Sequence, residues 1–305
     1  LPSERAQALQ VIQAAGAFAR PGARTHLMYA RRARTPALPA GRDLFEHYQV
    51  PQGERPSLNA IACVDWIERV PRFLQFWPAR LQELSFSANA AKAVLRSHLG
   101  AAVLSREIEC AHQLTRRGYA AVFLELHRVP DGGTRRAWLH AAAQASLGVV
   151  AISGGVRDDL LALGVDAQKI LVEHDAYESA RFANPPTRAD ARRKLGLDPA
   201  ARVVVYTGGL LEWKGVDLLV DAARELNDVT IVIAGGMEAD VARLRGRAAG
   251  LSHVRIEGFQ PPERVVDYLV AADIAVVPNR TQPAISARYT SPLKLFEAMA
   301  LGVPL

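Results

Sequence analysis

Cysteine is almost missing from this chain of 305 residues: Cys63 and Cys110 are the only two. That excludes a disulfide framework and a zinc ribbon, and it points to a reducing cytoplasm as the expected compartment. No apolar run approaches the roughly 18–20 residues of a membrane-spanning helix, although 50% of the residues are hydrophobic and 22% charged, as in an ordinary globular protein. Several catalytic signatures are missing as well. There is no H-E-x-x-H, no G-x-S-x-G, no Walker A loop and no G-x-G-x-x-G opening an α/β unit, which disfavours a zinc peptidase, a nucleophile-elbow hydrolase and a dinucleotide oxidoreductase. The chain opens at Leu1 without a methionine, with Ser3 as the expected N-cap of a first helix, and it stops at Leu305 where a buried strand is expected to begin. Elements are therefore expected to be missing at both ends.

The net charge of +6 is unevenly spread. Residues 1–150 hold 19 Lys+Arg against 11 Asp+Glu, a balance of +8, and the remainder holds 18 against 20, a balance of −2. A basic N-terminal half suits an anionic partner or an anionic membrane surface. Compositional drift explains it equally well, because the chain is rich in Ala and Arg and only five of its 37 basic residues are lysines.

Short apolar runs alternate with helical periodicity almost throughout. Strands are expected over residues 26–29, 61–64, 101–104, 120–126, 149–152 and 170–172, then over 203–206, 230–234, 254–256 and 274–277. Helices are expected over 3–19, 106–117, 134–145 and 156–163, then over 216–226, 238–249, 263–271 and 292–301. Short, near-continuous apolar strands with intervening helices indicate parallel sheets covered on both faces. The polar, basic stretch around Asn184-Pro185-Pro186 and Asp198-Pro199 interrupts this rhythm. The expected architecture is α/β, with two doubly wound Rossmann-like domains, 1–184 and 185–305, facing a cleft.

Two lysine-bearing loops carry the most chemistry. Gly208-Gly209-Leu-Leu-Glu-Trp-Lys214-Gly215 leads from a buried strand into a helix, and Tyr289-Thr-Ser291-Pro292-Leu293-Lys294 opens another. A helix N-terminus attracts anions, and a lysine there is unfavourable for the isolated helix. Two such placements point to an anionic ligand between them, a diphosphate above all. Ser291 is expected as N-cap and Pro292 at N1. Lys294 and Glu297, spaced i, i+3, share a face: either they pair with each other, or Lys294 reaches a phosphate while Glu297 accepts from two ribose hydroxyls. Leu293, Phe296 and Ala300 read as core.

These residues carry a resemblance. The run from Val203 to Leu305 resembles the donor half of the retaining family-4 glycosyltransferases with the GT-B fold. The matching pieces are the Gly208…Lys214-Gly215 loop, Ile233-Ala-Gly-Gly236, Ile256-Glu-Gly-Phe-Gln260, Ala272-Asp273-Ile-Ala-Val-Val-Pro278 and Ser291-Pro-Leu-Lys-Leu-Phe-Glu-Ala-Met-Ala300. The N-terminal half looks like the acceptor half, with Glu125-Leu-His127 and Val150-Ala-Ile-Ser153 before a helix. The resemblance implies that Lys214 binds the donor diphosphate in the Gly208–Gly209 loop and that Glu297 binds the ribose. Gly258, Phe259 and Gln260 would lie near the base. Arg288, Tyr289, Ser291, Pro292, Leu293 and Lys294 would contact sugar and phosphates, and His127 the donor sugar or the acceptor hydroxyl. It also implies a first strand and a glycine-rich turn ahead of Leu1. The implied partners are a nucleotide-sugar donor and a glycan or lipid-linked acceptor; the basic N-terminal half adds an expected peripheral contact with an anionic membrane, and no nucleic acid is expected.

The chain departs from the family in two places. An arginine usually follows the donor loop's first glycine, where Gly209 stands here, and the first glutamate of the E-x7-E pair is replaced by Tyr289. Arg288 or Lys294 is expected to replace the lost contacts. There is no Asp-x-Asp of the kind that metal-dependent glycosyltransferases use, so no metal and no cofactor beyond the nucleotide-sugar substrate is expected. The departing nucleoside diphosphate would be stabilised electrostatically by Lys214, Lys294 and helix ends. The competing readings are a sugar-nucleotide epimerase of the same fold and a nucleotide-sugar-binding protein without turnover.

One further stretch, Trp66-Ile-Glu-Arg-Val-Pro-Arg-Phe-Leu-Gln-Phe-Trp77-Pro-Ala-Arg80, interleaves aromatic and basic residues. It suits a membrane interface or a lipid-linked acceptor, but core and rim packing of an irregular helix is the stronger expectation. Pro71 and Pro78 argue against one long helix.

Overall fold

The structure, a computed structural model, describes residues 1–2, 6–38 and 40–305; the expected Ser3 cap lies outside them. The chain divides into two compact units, Leu1–Glu173 and His174–Leu305. In the first unit β1 (His26–Ala30) and β2 (Ser57–Ile61) pair in parallel. Strands β3 (Val103–Ser105), β4 (Val122–Leu126), β5 (Gly148–Ala151) and β6 (Ile170–Val172) form a second parallel sheet in that order. Its helices are α1 (Ala6–Ala19), α2 (Leu44–His47), α3 (Phe76–Ser97), α4 (Ile108–Arg116), α5 (Gly133–Ala145) and α6 (Gly154–Ala162). The second unit holds β7 (Arg202–Thr207), β8 (Val229–Ala234), β9 (Val254–Gly258) and β10 (Ile274–Ala275) in the parallel order β10-β7-β8-β9. Around them run α7 (Arg188–Leu195), α8 (Val216–Ala222), α9 (Glu238–Arg247), α10 (Pro262–Ala271), α11 (Ala284–Ala287) and α12 (Leu293–Ala300). Both units are Rossmann-like α/β folds, as the alternation of runs implies.

Successive strand residues point to opposite faces, so a sheet covered on both sides needs apolar residues at every position. In the second unit Val203 and Val205 pack with Ala191 and Leu195 of α7, Leu269 of α10 and Ala298 of α12. On the other face Tyr206, Ile231 and Ile233 pack with Val216 and Val220 of α8 and with Val241 and Leu244 of α9. The chain steps from β7 through β8 to β9 and then returns to the far side of β7 as β10. Such a reversal puts the switch point at the carboxyl ends of β7 and β10, the usual ligand position in open α/β sheets.

Two expectations are corrected. The strand expected over 61–64 lies earlier, at Ser57–Ile61, because its pairing with β1 uses a half-buried alternating segment instead of the apolar run that follows. No single helix spans residues 66–80, as the prolines imply: Pro71 separates two 3-10 turns, Ile67–Arg69 and Arg72–Leu74, and the 22-residue α3 starts only at Phe76, with Pro78 in its first turn, where a missing N–H breaks no intrahelical bond. The units part between Glu173 and His174, ahead of the expected boundary at 184. The segment 174–184 belongs with the second unit, since the Asp175 N–H donates to Ser291 Oγ (2.8 Å) and Arg181 donates to the Pro262 carbonyl (2.9 Å).

Candidate active site

Three glycines end the three consecutive strands β7, β8 and β9. Gly208, Gly235 and Gly258 have φ of 130°, 127° and 74°, conformations that side chains resist. Gly208 N–H donates to the Ala234 carbonyl and Gly235 N–H to the Gly258 carbonyl (2.9 and 2.6 Å). A Cβ on Gly235 would fall 2.2 Å from the Gly208 carbonyl oxygen. The result is a ledge of bare backbone along the carboxyl end of the sheet.

Lys294, from the first turn of α12, lies against this ledge. A Cβ on Gly208 would meet its Cε and Nζ at 3.3 Å. Its ammonium sits 3.8 Å from the centroid of the Tyr206 ring, and the Tyr206 hydroxyl donates to the Gly209 carbonyl at 2.6 Å. Lys294 is 9% exposed, and its Nζ has no hydrogen-bond partner among the described residues. Burial depresses its pKa well below the ordinary lysine value, repulsion from Lys214 depresses it further, and Glu297 opposes both. Lys214 ends the turn Glu212–Lys214 ahead of α8, with its Nζ 5.0 Å from the Trp213 ring centroid, and burial lowers its pKa too. Gly215 holds that turn tightly: its φ is +68°, and a Cβ there would lie 2.0 Å from the Pro278 carbonyl oxygen. The two lysines and the ledge form a compact cationic site at the reversal of the sheet.

Glu297 stands one turn after Lys294 and does not pair with it. Its carboxylate takes an ion pair from Arg181 at 3.2 Å, with the two side chains 12% and 3% exposed. Nothing in the sequence pointed to Arg181, which lies in a stretch read as the approach to a linker. Tyr206 was legible only as a strand residue. Ser291 is not the helix cap: Pro292 holds that position, and the Ser291 hydroxyl accepts from Asp175 instead. The cap is displaced because a backbone N–H from the preceding segment takes up the hydroxyl. Leu293 begins α12 half-buried. Gly258 ends β9, which is separated from β7 by β8, and Phe259, exposed, and Gln260 follow it. Gly209 is exposed, and Arg288 lies over the Tyr289 ring (5.7 Å) after the short α11.

In the first unit His127 follows β4. Its Nε2 is 2.9 Å from a Glu125 carboxylate oxygen, and Arg106, just past β3, contacts both residues. Burial would raise the Glu125 carboxyl; the hydrogen bond with His127 and the Arg106 charge overcome that and hold it below the usual value. Arg106 is a second residue that the sequence did not single out.

The chain thus consists of two Rossmann-like units, the second with the buried Lys294 lying against a glycine ledge at its strand ends. Residues 201–305 match the family described as "Glycosyl transferases group 1". The chain is 35% identical over 146 residues to a D-inositol 3-phosphate glycosyltransferase of Mycolicibacterium gilvum, covering 46% of this chain and 31% of that protein. It is 28% identical over 208 residues to TuaC of Bacillus subtilis, named as a teichuronic acid biosynthesis glycosyltransferase, covering 67% and 48%. HepE of Anabaena, solved in complex with UDP, superposes with a TM-score of 0.62 at 18% identity over 86% of this chain and 68% of its own. In fold this chain resembles the GT-B glycosyltransferases, residues 201–305 resemble the group 1 glycosyltransferases in sequence, and the chain spans 31% and 48% of the length of those two curated relatives.

Proposed function

We propose that the protein transfers a sugar, with retention of anomeric configuration, from a nucleotide-diphosphate donor to an acceptor hydroxyl. The observation that carries this reading is the Lys294 ammonium, buried, without a hydrogen-bond partner among the described residues and close enough to Lys214 to feel its charge. A diphosphate supplies the missing acceptors. Charge grows on the leaving phosphate as the glycosidic bond breaks, so preorganised cations stabilise the transition state more than the ground state. No cofactor enters this scheme. Glu297, held by Arg181, is assigned to the ribose, and His127 with Glu125 and Arg106 to the acceptor hydroxyl. The acceptor is a glycan or a lipid-linked glycan of bacterial polysaccharide or glycolipid synthesis, met at the cytoplasmic membrane face. HepE is a UDP complex, which makes uridine nucleotides the first to test.

The test is thermal stabilisation of the full-length parent by UDP, GDP, TDP and ADP, with Glu297→Ala as control. A ligand at 100 times its Kd stabilises by about 2.7 kcal/mol. One nucleotide stabilising the wild type but not the variant supports the donor site; no shift from any, on folded protein, overturns it. Incubation with the nucleotide sugar alone separates transfer from epimerisation, because an epimerase changes the sugar without an acceptor.

A further inference from the structure

The two halves of α3 have different surroundings. Toward its C-terminus Ser87, Ala90, Ala91 and Val94, three and four residues apart on one face, are buried. Toward its N-terminus an apolar face points outward: Trp77, Leu81 and Leu84, at the same spacing, are 75%, 38% and 37% exposed. Phe76 packs edge-on against Trp77 with ring centroids 5.3 Å apart. The two 3-10 turns before the helix add Trp66, Phe73 and Leu74, all at least half exposed. Phe73 and Trp77 are the two most exposed large hydrophobic side chains among the described residues. These rings are neither core nor rim. A surface helix ordinarily keeps such a face inward, and several exposed rings side by side mark an interaction surface.

The charges around the rings give that surface a sign. Arg69 is exposed in the first turn. The acids of the same segment are neutralised locally: Glu68 by Arg32 and Arg34 (3.6 and 3.9 Å), and Glu83 by Arg80. The patch is therefore apolar with a cationic surplus. Tryptophan and phenylalanine beside arginine form the side-chain set that settles at the headgroup boundary of a bilayer, rings below and guanidinium groups among phosphates.

We propose that the tip formed by residues 66–84 docks the protein on an anionic phospholipid surface, with Trp66, Phe73, Phe76 and Trp77 at the headgroup–acyl boundary. This deepens the membrane part of the proposed function, yet it stands apart from the donor site, since vesicle binding is read without nucleotide or turnover.

The experiment is flotation of the full-length parent with vesicles of phosphatidylcholine alone and with roughly one third phosphatidylglycerol. Wild type is expected to float with the anionic vesicles and not with the neutral ones, and to be released by salt. Phe73→Ser combined with Trp77→Ser is expected to lower partitioning at least about tenfold while the melting temperature stays within a few degrees. Arg69→Glu is expected to weaken the preference for anionic vesicles with the rings intact. No flotation of the wild type at low salt overturns the proposal. So does unchanged flotation of the double variant. Self-association of the wild type that the double variant abolishes, or a protein partner that only the wild type retains, reassigns the patch to a protein interface and also overturns it. In each case the nucleotide-binding result is unaffected.

Discussion

The Lys294 ammonium lies 3.8 Å from the centre of the Tyr206 ring, and that ring is also tied to the Gly208–Gly209 loop through the Tyr206–Gly209 hydrogen bond. One aromatic side chain thus supports both a cation and the backbone turn beneath it. A ring face offsets only part of the cost of burying an ammonium, about 2 kcal/mol or somewhat more, whereas an isolated buried charge costs far more. Burial therefore disfavours the charged form of Lys294, and an anion beside it would favour that form again.

Lys294→Met is expected to stabilise the ligand-free protein by on the order of 1–2 kcal/mol, because it removes a buried, unpartnered amine and keeps its volume. The same variant is expected to lose all stabilisation by nucleoside diphosphate. Thermal melts with and without UDP check both halves, and a destabilised variant that still responds to UDP would contradict the assignment.

Nucleotide binding should take up a proton at Lys294. The folded pKa of the empty site is depressed below 10.5, and an anion raises it again. Between those two values binding captures a proton, so affinity weakens as pH rises, by up to about tenfold per unit. Above about pH 7 the phosphate is already ionised and does not confuse the reading. The empty protein shows the opposite trend: the unfolded state holds the lysine proton more tightly, so stability rises with pH across the same window. Calorimetry in buffers of different ionisation heat measures the uptake, and Lys294→Met should abolish it.

Arg181→Met strips the Glu297 carboxylate of its buried ion pair. The expected cost is on the order of 2–4 kcal/mol by urea titration, since one charge is left uncompensated. Combining it with Glu297→Gln should cost less than the sum of the two changes. Additive effects would show that the pair is not coupled.

Gly209 and Gly215 should respond oppositely to substitution. A Cβ at Gly209 meets nothing within 4 Å, so Gly209→Arg, which restores the family's usual residue, is expected to fold normally and tighten UDP binding roughly tenfold. Gly215→Ala, blocked by Pro278 and by its positive φ, is expected to lose on the order of 2–3 kcal/mol. Calorimetry and denaturant titration distinguish the two.

Much of the second unit was legible in the sequence. Its strands are short apolar runs because both sheet faces are covered, and the glycines at strand ends mark where backbone must approach backbone. Lys294 stood out because a lysine in the first turn of a helix opposes the helix dipole. The cap was misplaced by one residue, since Ser291 and Pro292 fit the local pattern while Asp175, far away in sequence, claims the hydroxyl. The first unit was less legible: β2 alternates as a half-buried strand does, and Pro78 disguised the start of α3.

Local chemistry was therefore determined by the sequence alone: parallel α/β units, glycine-rich strand ends, and two lysines placed at helix starts. These follow from periodicity, backbone sterics and the dipole, which act over a few residues. Only the tertiary structure decided that Lys294 has no hydrogen-bond partner among the described residues, that Arg181 holds Glu297 across 116 positions of sequence, and that the rings of residues 66–77 face outward. Burial and long-range pairing depend on which surfaces meet after folding, and hydrophobicity along the chain carries no record of that.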